Sequence, residues 1–489
     1  LVNLRHKNKK VDMSFDQVLS AKQKALEINL NSNIYGTFAE IGAGQETVRF
    51  FYRAGGASGT LAKAMSAYDK DFSDAIYGKE EDGRYVTEER LIKMLDHEMK
   101  LMEERLNHET HKDKLFFTYA NTVTTIDFTK TYKGHGWVGI RFQSDKNSKE
   151  YNEIIFHVRF KENSAQLQQE TLGVIGVNLI YGAYYYNDNP RRLLRSLYDG
   201  LDNDQVEIDM VNFSGPRFAY VDNRLMSLQL VKNGMTDAVI FGPNGKNFLP
   251  AALLYKKNIF AMRGSFRPVT HVNLDMLESS LDMFMNQPDV TEENSEILFE
   301  ITLSNLSTDG EIDERDFLDR ADIIGSLGYN VIISNFSEYY KLVHYFTEFT
   351  KNSTQIGLGM GVNNLLEVFN PTYYDNLPGG IMEAFGKLFK KNVGVYLYPY
   401  NNRETNQLLN SENLKVNENL KELYKFFKFN QRIKDVENYN PAFLEIYSRR
   451  ILEQIGKGEE GWEECLPKGV AELIKERGMF GYTTTYAIN

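Results

Sequence analysis

The feature that most restricts the fold is the regular alternation of short apolar runs with amphipathic segments after residue 204. QVEIDMVNF, DAVIFG, IFAMRGSF, EILFEITL, YNVIISNF, TQIGLGM and NVGVYLYPY read as strands, and a helical pattern separates most neighbours. Parallel strands cannot be joined by a tight turn and need a crossover, so this alternation predicts βαβ construction. An open doubly wound sheet, two α/β lobes or a barrel-like closure would each satisfy it. Further strands upstream make a plain eight-stranded barrel awkward. The expected class is therefore α/β, with a mostly parallel sheet or two α/β lobes, an additional mixed or antiparallel portion, and a helical C-terminal tail.

Upstream of residue 204 the period differs. LFFTYANTVTTIDF, GWVGIRFQ and NEIIFHVRF are strand candidates joined by polar turns, which suggests antiparallel or mixed pairing. GVIGVNLIYGAYYY and NPRRLLRSLYDGL predict two helices, with Pro190 in the first turn of the second, where its missing N–H is harmless. The predicted organisation is an N-terminal α/β segment with glycine-rich turns (1–110), a mixed β and helical segment (111–203), a parallel α/β domain (204–411) and a helical extension (412–489). Trp462 and Phe480 are expected to pack the extension back onto the body.

Composition narrows the partners. A chain of 489 residues is long enough for two or three cores. It has no run of eighteen apolar residues, so no membrane insertion is expected. The stretch LVNLRHKNKKVDMSF is basic without a signal-peptide core, and the expected location is cytoplasmic. The 67 acidic and 56 basic residues are interspersed and give a net charge of -11, which disfavours nucleic acid as a partner. The 29 Tyr and 31 Phe can fill cores or a subunit contact, so a homo-oligomer belongs to the reading. The lone Cys465 excludes an intramolecular disulfide and cysteine-rich metal sites.

Two segments carry the candidate site. Gly42 and Gly44 follow a strand ending at Ile41, and Thr47 begins a helical pattern. This order resembles a dinucleotide-binding turn with the pyrophosphate at the helix N-terminus, although Thr47 stands where the third glycine of the fingerprint belongs. Arg53 is available to an anion, Gly55 and Gly56 form a second turn, and Leu61 to Tyr68 resumes a helical pattern. The second segment is AMRGSFRPVTHVNLD, residues 261–275, at the end of a predicted strand, where parallel α/β proteins bind ligands. Arg263 and Arg267 can hold phosphate or carboxylate oxygens, and His271 can move a proton. An internal ion-pair network with a structural histidine is the alternative. Glu207 and Asp209 alternate on one strand face and are further catalytic candidates, while Asn335, Ser337 and Glu338 form another polar strand end.

Other signatures are incomplete. Walker A, HExxH and GxSxG are absent. His108 and His111 would share a helix face, but their polar surroundings favour a loop over zinc. NLSTDGEIDERD, residues 305–316, resembles a calcium loop, yet a strand precedes it and Asp316 replaces the terminal glutamate. No metal site is assigned, and the cofactor is left unknown.

FAEIGAGQETVRFFYRAGGASGTLAKAMSAYD, LMSLQLVKNGMTDAVIFGPNG and LLEVFNPTYYDNLPGGIMEAFGKLF resemble a family of functionally unassigned bacterial proteins of similar length. Its members are sometimes labelled nicotinamide-nucleotide adenylyltransferase or TonB-dependent receptor. The HxGH motif of the former and the signal peptide and barrel strands of the latter are missing here, so the resemblance implies no activity or site residue. The residues themselves suggest a transferase acting on a phosphorylated or nucleotide-like small molecule. A non-catalytic cytoplasmic assembly or scaffold protein and a dinucleotide-dependent oxidoreductase are the alternatives.

Overall fold

A computed structural model describes residues 18–106, 110–308, 311–351 and 353–483. The chain forms two compact units. The first gathers residues up to Ile155 with Arg159–Val206 and Gly215–Arg217; the second has Phe156–Val158, Glu207–Ser214 and the chain from Phe218 onward.

The chain begins with α1 (Ala21–Leu30), β1 (Ile34–Ile41), α2 (Glu46–Ala54), β2 (Leu61–Met65), α3 (Lys70–Tyr77) and α4 (Glu88–Arg105). It continues with β3 (Leu115–Thr124), β4 (His135–Phe142), β5 (Asn152–Phe160), α5 (Ala165–Tyr185), α6 (Pro190–Ser196) and β6 (Val206–Ser214). These strands form a six-stranded sheet of order β2-β1-β3-β4-β5-β6. β1 runs parallel to β2 and β3, whereas β3 and β4 are antiparallel. The mixed pairing expected from residues 115–160 is present.

Local chemistry places the helices. Ser20 and Gln23 form a reciprocal capping box at the start of α1. Thr87 caps α4 by accepting the Arg90 amide at 3.1 Å, and Glu88 and Glu89 favour the positive end of that helix. Leu91, Met94, Leu95, Met99 and Met102 then give α4 one buried face, which lies against β3 and β4. α5 is buried on nearly every side and packs on α1 and α2.

One local expectation fails. Leu61–Met65 is a strand and not the start of a helix. Leu, Ala, Lys and Met favour helix intrinsically, but parallel pairing from Gly36↔Leu61 to Ala39↔Met65 supplies hydrogen bonds that override the weak preference.

The second unit contains α7 (Asn223–Lys232), β7 (Ala238–Phe241), β8 (Asn247–Phe248), β9 (Asn258–Arg263), α8 (His271–Met285), β10 (Ser295–Thr302) and α9 (Glu314–Ser326). After these come β11 (Asn330–Ser334), α10 (Tyr339–Phe349), β12 (Ile356–Gly361), α11 (Val362–Val368), α12 (Gly380–Leu388) and β13 (Val393–Tyr398). α13 (Lys421–Phe429), β14 (Ile433–Asp435), α14 (Ser448–Lys457) and α15 (Val470–Arg477) complete the series. The eight strands are ordered β14-β13-β12-β9-β10-β11-β7-β8, an open sheet. Pairs from β14 through β11 are parallel, and β7 is antiparallel to both neighbours.

All seven strands expected after residue 204 occur. QVEIDMVNF, however, supplies β6 of the six-stranded sheet and does not open the parallel one. The extension beyond residue 412 is mainly helical but also contributes edge strand β14. Trp462 is buried and packs edge-on to Tyr482, while Phe480 is half-buried. Arg477 pairs with Asp322 of α9, and Arg315 donates to the Arg477 carbonyl.

The turn leaving β1 is the tightest backbone approach there. Gly42 has a φ of 95°, and a Cβ on it would lie 2.0 Å from the Val123 carbonyl oxygen. Gly44 also has positive φ, at 88°, but no atom lies within 4 Å of such a Cβ. Gly42→Ala should therefore lower unfolding stability by about 3 kcal/mol or more, against about 1 kcal/mol for Gly44→Ala. Urea unfolding of the two variants would check the order, and equal losses would contradict the steric reading.

Candidate functional site

In the first unit, the helix end proposed for an anion is already occupied by a carboxyl group of the chain itself. Glu40, fully buried near the end of β1, accepts the Thr47 amide at 3.2 Å and the Val48 amide at 2.9 Å. Asn121 Nδ2 donates to the same carboxylate at 3.2 Å, and the Thr47 hydroxyl donates to Tyr119 at 3.0 Å. Burial pushes the Glu40 carboxyl up to about 7, against the opposing pull of the backbone donors. Thus the donors sought for a pyrophosphate are occupied by the chain's own carboxylate, and Gly42 and Gly44 form the turn that brings α2 onto it.

Gly55 and Gly56 lie at the other end of α2. Gly55 accepts a hydrogen bond from Asn29 Nδ2 at 2.8 Å, and Gly56 adopts the left-handed conformation. Arg53 lines a cleft of about 490 Å³ with Arg49, Phe50, Glu162 and Glu170. It has no ion-pair partner among the described residues, but the surrounding carboxylates make this cleft a poor match for a multiply charged anion.

The second unit has a cleft of about 420 Å³ at the carboxyl ends of β9, β10, β11 and β12. Its lining begins with Arg263, Gly264 and Ser265 after β9, and with Thr302, Ser304 and Asn305 after β10. Arg263 is not a free anion ligand. Its Nε and Nη2 donate to Glu300 at 2.7 and 2.9 Å, its Nη1 donates to the Ser337 carbonyl at 3.1 Å, and Ser334 donates to Glu300 at 2.6 Å. This pair binds the ends of three strands into a floor. The internal ion-pair alternative therefore describes Arg263 and Arg267 well.

Arg267 pairs with Asp316, which also holds Arg320. Arg320 in turn donates to the carbonyls of Ser265 and Asn305 at 3.1 and 2.8 Å. The network supports two cleft-lining loops from behind. Asp316 and Asp313, read as calcium-loop positions, are a salt-bridge partner and the cap of α9. Asp309 and Gly310 of that loop, like His108, lie outside the described residues.

The other catalytic candidates are apart from the cleft lining. His271 starts α8 and stacks on Phe443, with ring centroids 5.0 Å apart. Asp209 bonds buried His157 at 2.7 Å, and Glu207 accepts from Thr236 at 2.6 Å. Among the described residues, no group of three or more His, Cys, Asp or Glu side chains could hold a metal ion, and no helix is long and apolar enough to cross a membrane.

Groups that did not stand out in the sequence complete the cleft. Tyr339 is only 5% exposed, its ring lies 4.3 Å from the Arg263 guanidinium carbon, and its hydroxyl has no hydrogen-bond partner among the described residues. Burial holds this phenol well above its usual range, with Arg263 opposing and Glu300 reinforcing the effect, so it remains a neutral donor. It begins α10, whose N-terminus has no side-chain cap among the described residues. Glu338 pairs with Lys341, whereas Arg449 and Glu367, both exposed, make no ion pair among the described residues. Only the isolated charge in the apolar run EILFEITL could have pointed to Glu300. Nothing local in RRILEQ distinguished Arg449.

No family model matches the chain, and no curated protein matches it. Solved structures with partial likeness include competence/damage inducible protein CihA from Agrobacterium tumefaciens, at 14% identity and TM-score 0.24, covering 33% of this chain and 93% of that one. A competence-damaged protein (CinA) superfamily protein from Enterobacter cloacae has 12% identity and TM-score 0.25, with coverage of 37% and 98%. A competence or damage-inducible protein from Enterobacter asburiae has 10% identity and TM-score 0.24, with coverage of 33% and 95%. Likeness of this degree decides neither family nor activity.

The buried Glu40 gives a pH signature. Its folded value of about 7 lies above the ordinary 4.5, so the native state retains the proton between these values. Its contribution to stability is fully present below about 4.5 and is lost as pH rises through about 7, an amplitude of roughly 3 kcal/mol. Urea unfolding at pH 5 and pH 8 should show a larger loss for the native protein than for Glu40→Gln. Parallel losses would refute the assignment.

Proposed function

We propose that the cleft of the second unit binds a phosphorylated or nucleotide-like small molecule, and that the protein is a transferase acting on it. The observation that carries this reading is Tyr339, a lining residue of the cleft at the strand ends whose buried hydroxyl has no hydrogen-bond partner among the described residues. An unsatisfied buried donor is costly unless a ligand or water completes it. The start of α10, which has no side-chain cap among the described residues, and Arg449, which makes no ion pair among them, favour an anionic group there, because amides and a guanidinium both donate toward negative charge.

The remaining lining suits the rest of such a molecule. Ser265, Thr302, Ser304 and Asn305 offer hydroxyl and amide groups to a hydroxylated portion. Glu367, which makes no ion pair among the described residues, would accept the proton of an acceptor hydroxyl as that oxygen bonds to the transferred group and the bond from the group to its donor oxygen breaks, while Arg449 would stabilise charge on the departing oxygen. Glu367 takes this role in place of His271 because it lines the cleft and His271 does not.

Calorimetric titration with AMP and ribose 5-phosphate tests the reading. At least one should bind, and Arg449→Ala should weaken that ligand tenfold or more. Tyr339→Phe should weaken it severalfold without destabilising the free protein, because it removes a hydroxyl that has no partner. Failure of both compounds to bind, or indifference of affinity to Arg449→Ala, would overturn the proposal.

A further inference from the structure

Beside the polar cleft lies a smaller chamber of about 150 Å³. Asn364 lines both spaces, so the turn from β12 into α11 is their common wall. The chamber has a different character. Val272, Met276, Val362, Tyr398, Tyr400 and Tyr447 contribute apolar and aromatic surface. A partly open pocket with this lining offers aromatic and apolar faces on which a planar ring can stack.

The lining also includes the side-chain amides of two asparagines. Asn363 and Asn364 both line the chamber, and neither side-chain amide has a hydrogen-bond partner among the described residues. Each offers one acceptor and two donors, which complements the edge of a heteroaromatic ring better than an acyl chain. The tyrosines are held in place: the Tyr447 hydroxyl donates to the Asn401 carbonyl at 3.1 Å, and Tyr398 is bonded to Asp275. Arg403 covers the Tyr447 ring at 3.8 Å, further fixing that wall. Tyr447 lines the chamber and Arg449 the cleft, so one short segment serves both.

From this arrangement we infer that the ligand is a nucleoside phosphate, with its base in the aromatic chamber, its ribose beside Asn364 and its phosphate in the polar cleft toward Arg449 and Tyr339. The inference rests on the cleft reading above and adds the class of ligand. A sugar phosphate would fill the cleft alone and leave the chamber unused.

The Gly361 position allows the chamber to be tested separately. Its backbone is ordinary extended chain, and the only atom near an added Cβ is Met276 Cε at 4.0 Å. Gly361→Leu therefore fills the chamber without backbone strain. AMP should bind the native protein at least tenfold more tightly than ribose 5-phosphate, measured by calorimetry. Gly361→Leu should remove most of that difference while leaving ribose 5-phosphate affinity unchanged, and Met276→Trp should do the same if the first variant does not fold.

Two negative results are distinct. Equal affinity for AMP and ribose 5-phosphate, with AMP binding insensitive to both chamber variants, would overturn the nucleoside assignment and leave the cleft reading intact. Failure of both compounds to bind would remove the cleft reading and this inference with it.

Discussion

At the carboxyl ends of β9 and β10, Arg263 and Glu300 hold each other through two hydrogen bonds while almost entirely withdrawn from solvent. Such a pair has lost much hydration, so removing either partner would strand a charge. Its geometry matters beyond its own energy. Through Ser334 and the Ser337 carbonyl the same pair reaches the end of β11, and the Arg263 guanidinium lies beneath the Tyr339 ring. Neighbouring strand ends are thereby fixed relative to one another. The floor of the cleft is held by charge-assisted hydrogen bonds made within the chain itself.

Charge is used similarly elsewhere, but with a different result. Asp316 pairs with both Arg320 and Arg267, and Arg320 also braces two loops through their carbonyls. Glu40 has no cationic partner among the described residues and is held by amides and Asn121, so burial is felt as a raised proton affinity. The distinction explains why arginines that look like anion ligands in sequence need not be available to one. A guanidinium with a buried carboxylate partner organises its surroundings. Arg449, by contrast, is exposed and makes no ion pair among the described residues.

Periodicity made the fold class readable, because parallel strands buried on both faces must be apolar and must be separated by crossovers. It did not assign strands to sheets. QVEIDMVNF has the same pattern as its successors, but its pairing is decided by distant partners. Leu61–Met65 was obscured for the opposite reason: its residues prefer helix, and only pairing with β1 makes them extended. At the site, Arg263 could be located from its place after an apolar run. Its engagement with Glu300, 37 residues away, could not. Likewise, the glycine turn was visible, but the occupation of the following helix end depended on the direction in which Glu40 points from β1.

The least legible part of the cleft comes from the extension. Phe443, Leu444, Ile446, Tyr447 and Arg449 belong to one segment that must be laid across the ends of the sheet. Several weak restraints hold it there: Asn440 donates its amide to Asp275, Phe443 stacks on His271, and the Ser448 and Thr270 hydroxyls meet at 3.5 Å across 178 residues of sequence. His271 thus has a positional task that its titratable ring alone would not suggest. The sheet supplies the floor of the cleft and this segment supplies Arg449, so the lining is drawn from both. Attachment of the extension is therefore what places the Arg449 charge beside strand ends whose own arginine, Arg263, is already paired with Glu300.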